Sequence, residues 1–235
     1  MNSEQQLFFA GQKIVNDEQQ EYEEYELLLR YGNQVNARFP AQIYENLIKD
    51  EKEYKKYIQF LKAELSTFLV AKPNANFSFN IDQQELKYQA LFDFLSDFPV
   101  EQRQRLTIEL TENAPLEHEL NYYSTYDIDA IKQIADMDYK IAFDDIGSGN
   151  NTLGNLFLSK DHITRVKWSY INLAKFVSWE ESRNWIKFLN EITTTNQLDL
   201  VIEGVENEDV AQQLRKLGIK YFQGYLYSKP TPLIG

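Results

Sequence analysis

Residues 198–223 read LDLVIEGVENEDVAQQLRKLGIKYFQ, and their reading decides the fold. A short apolar run over 198–203 ends in Glu203 and has the length of a buried strand. Residues 209–217 carry helical spacing, and 219–223 return to strand. A strand, a helix and a second strand without a Gly/Ser linker are the unit of a parallel sheet with crossover helices.

Outward from this unit the same rhythm runs back to residue 75. Strands are predicted over 75–81, 105–110, 140–144 and 163–167. Helices are predicted over 83–94, 128–137, 151–158 and 174–195, with Asp127 as the cap of the second. Ahead of residue 75 lie two strands, 6–15 and 22–31, and a long amphipathic helix, 44–70. In the second strand Glu24, Glu26, Leu28 and Arg30 share one face, and Tyr25, Leu27, Leu29 and Tyr31 the other. Pro230 and Pro232 argue against long regular structure over 226–235. About eight strands in 235 residues favour an α/β chain closed into a TIM-like barrel. An open, doubly wound sheet is the structural alternative. No linker interrupts the pattern, so residues 1–235 read as one domain.

The chain carries 24 Lys and Arg against 36 Asp and Glu, a formal charge of -12. Such a surface repels a long nucleic acid. A small phosphorylated ligand stays compatible with it, because bound divalent cations reverse the local field. There is no cysteine, which excludes thiolate metal sites and cysteine nucleophiles. The first residues contain no basic region followed by a long apolar run, so no signal peptide or membrane segment is expected, and the expected compartment is the cytoplasm.

Polar residues fall where a core would not choose them. Asn80, Glu109, Asp144 with Asp145, Lys167, Glu203 and Gln223 lie at or near predicted C-terminal strand edges, and Glu26 lies mid-strand. A barrel gathers that rim into one opening, where active sites are built. The bland alternative is strands ending at solvent. The set argues against it: converging acids repel, and each loses stability unless a cation compensates. Oxygen donors with no cysteine and only two histidines point to Mg²⁺ or Mn²⁺. His118 and His162 read as ordinary surface or boundary residues. At a turning strand end, Asp144 and Asp145 have the makings of a two-metal clamp for phosphodiester hydrolysis. Residues 147–154, GSGNNTLG, match neither a dinucleotide fingerprint nor a P-loop. They read either as a plain turn or as a mobile rim element. Serine-elbow and His-Glu-x-x-His motifs are absent.

Seven segments in order resemble the EAL-domain cyclic di-GMP phosphodiesterases. They are Glu26-Leu27-Leu28-Leu29-Arg30, Phe79-Asn80-Ile81, Ile108-Glu109-Leu110-Thr111-Glu112, Asp144-Asp145-Ile146-Gly147-Ser148-Gly149, Val166-Lys167, Glu203-Gly204-Val205-Glu206 and Gln223-Gly224-Tyr225-Leu226. The resemblance implies a modified TIM (β/α)8 barrel with an antiparallel first strand. It implies hydrolysis of cyclic di-GMP to linear pGpG with two Mg²⁺ or Mn²⁺ ions. By position, Glu26, Asn80, Glu109 and Asp144 would hold the first metal, and Asp144 with Asp145 the second. Lys167 would orient the water or phosphate oxygens, and Glu203 would complete the metal and water shell. Gln12, Leu28, Arg30 and Gln223 would contact substrate. Glu112 would steady the loop after the Asp pair, and that loop with its helix would meet a second copy in a homodimer.

The chain departs from the family pattern at several positions. Leu27 replaces Ala in the signature, Lys13 replaces Pro after Gln12, Ile146 replaces Phe, and Asn150-Asn151-Thr152 replaces a Tyr-Ser-Ser type run. The largest departure is Ser169, which stands where an Asp commonly follows the catalytic Lys by two residues. It keeps a hydrogen-bonding oxygen without the charge. Two further readings follow: a module that binds cyclic di-GMP without cutting it, and an interaction protein using the barrel or the 44–70 helix.

Overall fold

A computed structural model describes residues 6–19, 21–33, 37–114 and 127–233. His118 lies outside them. Strands β1 (Gln6–Asn16) and β2 (Glu24–Gly32) form an antiparallel hairpin. Strands β3 (Asn76–Ile81), β4 (Leu106–Leu110), β5 (Lys140–Phe143), β6 (Arg165–Ser169), β7 (Asp199–Glu203) and β8 (Tyr221–Gln223) follow in spatial order, each parallel to the last. β1 then pairs antiparallel with β8 as well as with β2, which closes an eight-stranded barrel. The expected closure and the antiparallel first strand are both observed. A two-residue strand β9 (Thr231–Pro232) lies on Ala10 and Gly11, short as the two prolines of the tail imply. It fits because Gly11 has no side chain: a Cβ there would stand 2.5 Å from Leu233.

Strand alternation sorts the residues into two environments. Phe77, Phe79, Ile81, Leu106, Ile108, Leu110, Ile141, Phe143, Val166, Ile202 and Phe222 face outward and are buried in the apolar core between barrel and helices. The opposite faces carry Ser78, Asn80, Thr107, Glu109, Lys167, Glu203 and Gln223 and line the interior. The barrel is therefore apolar outside and polar within. Its lower tier is a buried ion pair: Arg165 on β6 reaches Glu24 on β2 at 2.6 and 3.0 Å. One step up the same two strands, Lys167 meets Glu26.

The helices break more often than periodicity implied. The predicted 44–70 helix is two, α1 (Ala41–Ile48) and α2 (Glu51–Ala71). Asp50 is extended between them and accepts a hydrogen bond from the Glu53 N–H as the cap of α2. The 83–94 segment is a 3-10 turn, Glu85–Lys87, followed by α3 (Gln89–Ser96), and α4 (Val100–Arg103) comes after it. Next come α5 (Ile128–Asp136), capped by Asp127 as expected, and α6 (Leu153–Ser159), capped by Thr152. The predicted 174–195 helix starts later, as α8 (Trp179–Thr195), opened by a Ser178–Glu181 capping box, and a separate short helix, α7 (Tyr170–Leu173), precedes it. The last helix is α9 (Glu208–Arg215). Among the described residues no helix is long and apolar enough to cross a membrane.

Glu85 lies under α1, where the Tyr44 hydroxyl donates to it at 2.5 Å. Burial, with the nearby Asp82 charge, pushes its carboxyl up to about 8. An unfolded chain releases that proton near about 4.3. Between these values the folded state holds a proton that the unfolded state has lost, so this contribution to stability falls as pH rises through the window. Glu85→Gln is expected to match the wild type at about pH 4, below the window, and to melt roughly 5 °C higher at about pH 8.5. Thermal melts at both pH values test this, and parallel pH dependences would refute it.

Candidate active site

Register brings the predicted residues to one mouth. Asn80 pairs with Glu109 across β3 and β4, and Ser169 with Glu203 across β6 and β7. Glu26 is level with Ser78, one inward-facing position below Asn80, because strands in a barrel are staggered. That offset is why it looks mid-strand in the sequence. Asn80 Nδ2 donates down to Glu26 Oε1 at 2.8 Å, and Gln223 Nε2 donates to Glu26 Oε2 at 2.7 Å. Gln223 also meets Gln12 Oε1 at 3.3 Å, and Gln12 donates to the Ser228 carbonyl at 3.1 Å.

At the centre stands Lys167, fully buried. Its Nζ lies 3.1 Å from Glu26, 2.6 Å from Glu109, 3.1 Å from Asp144 and 2.7 Å from Glu203. Burial alone would lower its pKa, but the four carboxylates raise it well above the ordinary lysine value. Burial would likewise raise Glu26, yet Lys167 and the Gln223 and Asn80 amides hold it below the usual carboxylate range. One ammonium cannot do this for all four. Glu109 is pushed up to about 8 by burial and the Glu26 charge, and burial also raises Asp144 and Glu203 against the pull of Lys167.

Asp145 turns away from this group. Its φ of 45° swings it to a neighbouring cavity of about 440 Å³ that Ser169, Trp168, Trp185 and Phe176 also line. Burial with the Asp144 and Glu112 charges pushes its carboxyl to about 6. Leu28 and Arg30 line the cleft above Glu26, Asn80 and Asp144. Glu112 holds the following loop by its backbone: its carbonyl accepts from the Asn150 N–H at 2.8 Å. A Cβ on Gly149, where φ is 45°, would meet that carbonyl at 2.3 Å. Asn151, missed in the sequence, is the loop's inner anchor. It is fully buried and donates to the Leu110 carbonyl at 2.8 Å and to the Asp144 carbonyl. Asp82 and Asn113 were also missed, and both line the cleft. His162 is half-buried and lines neither cavity.

Among the described residues no three acids or histidines form a ready-made metal cage, and the Lys167 ammonium stands among the four carboxylates. The donor set nonetheless fits a hard divalent cation. Every candidate donor is an oxygen, four carboxylates face one ammonium, and Asn80 Oδ1 and Glu109 Oε1 are buried with no hydrogen-bond partner among the described residues.

A family model described as "EAL domain" matches residues 2–230. The cyclic di-GMP phosphodiesterase PdeA of Borreliella burgdorferi is 29% identical over 160 residues, which cover 67% of this chain and 23% of that protein. The chain thus spans less than a quarter of that relative's length. An EAL domain protein from Listeria monocytogenes superposes with a TM-score of 0.75 at 20% identity, covering 97% of this chain and 89% of that one. Klebsiella pneumoniae BlrP1, in its manganese and cyclic di-GMP complex, superposes with a TM-score of 0.75 at 19% identity, covering 98% and 57%. At these identities the likeness to the solved structures is one of fold.

Proposed function

Because the chain belongs to the EAL domain family, we propose that it hydrolyses cyclic di-GMP to linear pGpG. One observation carries the reading: Lys167 Nζ lies within 3.1 Å of four carboxylates at the barrel mouth, three on strands β2, β4 and β7 and the fourth, Asp144, directly after β5. A mouth with more acid than one ammonium balances suits a cation-dependent phosphodiesterase. Glu26, Asn80, Glu109 and Asp144 would hold one Mg²⁺ or Mn²⁺, and Asp144 with Asp145 a second. Bound there, the ions would lower the pKa of water and neutralise the phosphate.

The chain's own groups do the rest. Arg30 and Leu28 hold the cyclic dinucleotide over the mouth, with Gln12 and Gln223 setting the orientation of Glu26 below it. Glu203 orients the attacking water. The water oxygen bonds to one phosphorus and gives up a proton to solvent, the bond from phosphorus to the 3′ oxygen breaks, and that oxygen takes up a proton from solvent to leave as a hydroxyl, so one water is consumed. The Lys167 ammonium stabilises the charge that develops on the phosphate oxygens. The second phosphodiester stays intact, so the product is linear with a 5′ phosphate. The unit proposed to act is residues 1–235 as one domain. A second copy would meet the loop and α6, where Phe157 and Leu158 are 48% and 64% exposed.

Ser169 favours a second reading, binding without cleavage. It shares the cavity of Asp145, where a carboxylate would add a charge for the second ion. Ser169→Asp is expected to tighten Mn²⁺ binding and raise turnover, each by about tenfold. Metal titration and a rate assay decide it, and unchanged values would remove Ser169 from the account. Incubating the protein with cyclic di-GMP and Mn²⁺ and chromatographing the products tests the main reading. Linear pGpG supports it; intact, bound cyclic di-GMP supports the second.

A further inference from the structure

The ends of β4 and β5 lie side by side, with Leu110 level with Phe143. Two acceptors stand there. The Leu110 carbonyl takes the Asp144 N–H at 3.0 Å, and a carbonyl oxygen has a second lone pair. The Asp144 carbonyl begins the turn that carries Asp145. One side chain serves both: Asn151 Nδ2 donates to the Leu110 carbonyl at 2.8 Å and to the Asp144 carbonyl. Carbonyl oxygens only accept, so the amino end of the amide must face them, and its two hydrogens meet two oxygens. Asn151 is 0% exposed, so it does this out of reach of competing water.

The rest of the turn is drawn onto the same residue. The Gly147 N–H donates to the Asn151 carbonyl at 2.7 Å, the Asn151 N–H to the Ser148 carbonyl at 2.9 Å, and the Ser148 N–H to the Asp145 carbonyl at 2.9 Å. The conformation so held is an unusual one. Asp145 has a φ of 45°, a region that a residue with a side chain rarely enters unaided. Turning the peptide between Asp144 and Asp145 would carry that φ back to the common region and swing the Asp145 carboxylate elsewhere. Asn151 pins the carbonyl of that peptide.

The residue type matters. A serine, as in the Tyr-Ser-Ser type run that Asn150-Asn151-Thr152 replaces, would bring one hydroxyl hydrogen to the two carbonyls. Ser169, in the same cavity as Asp145, brings no charge. The placing of Asp145 therefore counts for more in this chain.

We propose that Asn151 is a positioning residue for the hydrolysis: its amide clamps the ends of β4 and β5 and holds the Asp145 carboxylate where the second divalent cation binds. The assignment rests on the two-ion reading above and adds a residue that lines neither cavity.

The test is calorimetric titration of the wild type, Asn151→Ser and Asn151→Ala with Mn²⁺, resolved into two sites. Thermal melting controls for folding, and kcat and KM for cyclic di-GMP are measured alongside. Asn151→Ser is expected to raise the ratio of the second Mn²⁺ Kd to the first roughly tenfold, and Asn151→Ala up to about a hundredfold. The kcat should fall with it, KM should stay, and excess Mn²⁺ should restore kcat in Asn151→Ser. A role in packing alone lowers the melting temperature and leaves the ratio in place. An unchanged ratio in either folded variant overturns the proposal. If neither variant folds, ¹⁵N spectra of the wild type decide. Asn151 side-chain hydrogens that exchange slowly and shift as the second equivalent of Mg²⁺ is added support the clamp; hydrogens that exchange freely or stay unmoved overturn it. A wild type that binds fewer than two ions sinks the two-ion reading and this assignment with it, whereas two ions with an unchanged ratio sink only the assignment.

Discussion

Replacing Lys167 with methionine is expected to destabilise the metal-free protein by about 3–5 kcal/mol, the range for removing one partner of a buried ion pair. The cause is local. Glu26, Glu109, Asp144 and Glu203 all lean on this one ammonium, and methionine fills its volume without its charge. Added Mn²⁺ should restore more stability to the variant than to the wild type, because an ion that binds only the folded state stabilises it by mass action. Hydrolysis should still fall, by about 10²–10³-fold, for want of the charge that faces the phosphate. Urea denaturation with and without Mn²⁺ measures the first two effects. A metal-free variant as stable as the wild type would show that the four acids do not depend on Lys167.

Glu26→Ala is expected to reduce hydrolysis by about 10³-fold and Mn²⁺ affinity by at least roughly tenfold. Of the four carboxylates around Lys167, Glu26 has the most side-chain donors among the described residues: it accepts from Asn80, from Gln223 and from Lys167. Its loss would remove a proposed ligand and release the two amides that position it. Rate assays and metal titration on Glu26→Ala and the isosteric Glu26→Gln separate shape from charge. Metal-dependent hydrolysis persisting in both would falsify the proposed first metal site.

Much of this arrangement is legible in the sequence because a strand exposes its two faces alternately. Glu24, Glu26, Leu28 and Arg30 share one face in the primary structure and in the barrel alike. The depth of Glu26 is not legible, since stagger between strands is a property of closure. The break at Asp50 is hidden by apolar spacing that runs on from Ile48 to Tyr54 across the extended cap residue. The break before α8 was available in the Ser178 to Glu181 spacing, a capping box that the periodicity of the flanking apolar residues overrode. Asn151 looks like any loop asparagine until the chain folds it beneath the Asp pair. The cleft beside the mouth is the least legible part: Phe39, Tyr57, Asp82 and Asn113, which line it, come from segments that only tertiary packing joins.

Closure by an antiparallel first strand also sets the order in which the protein can be made. Gln12 and Gln223 are 211 positions apart, yet they form adjacent staves. At about 5–20 residues per second on the ribosome, roughly 10–40 s separates their synthesis. Through that interval β1 has its hairpin partner on one side only, and its other edge is open to pairing with a neighbouring chain. The Lys167 cluster is completed only by strands that emerge late, so a nascent chain gains its acidic mouth and loses its sticky edge in nearly the same event.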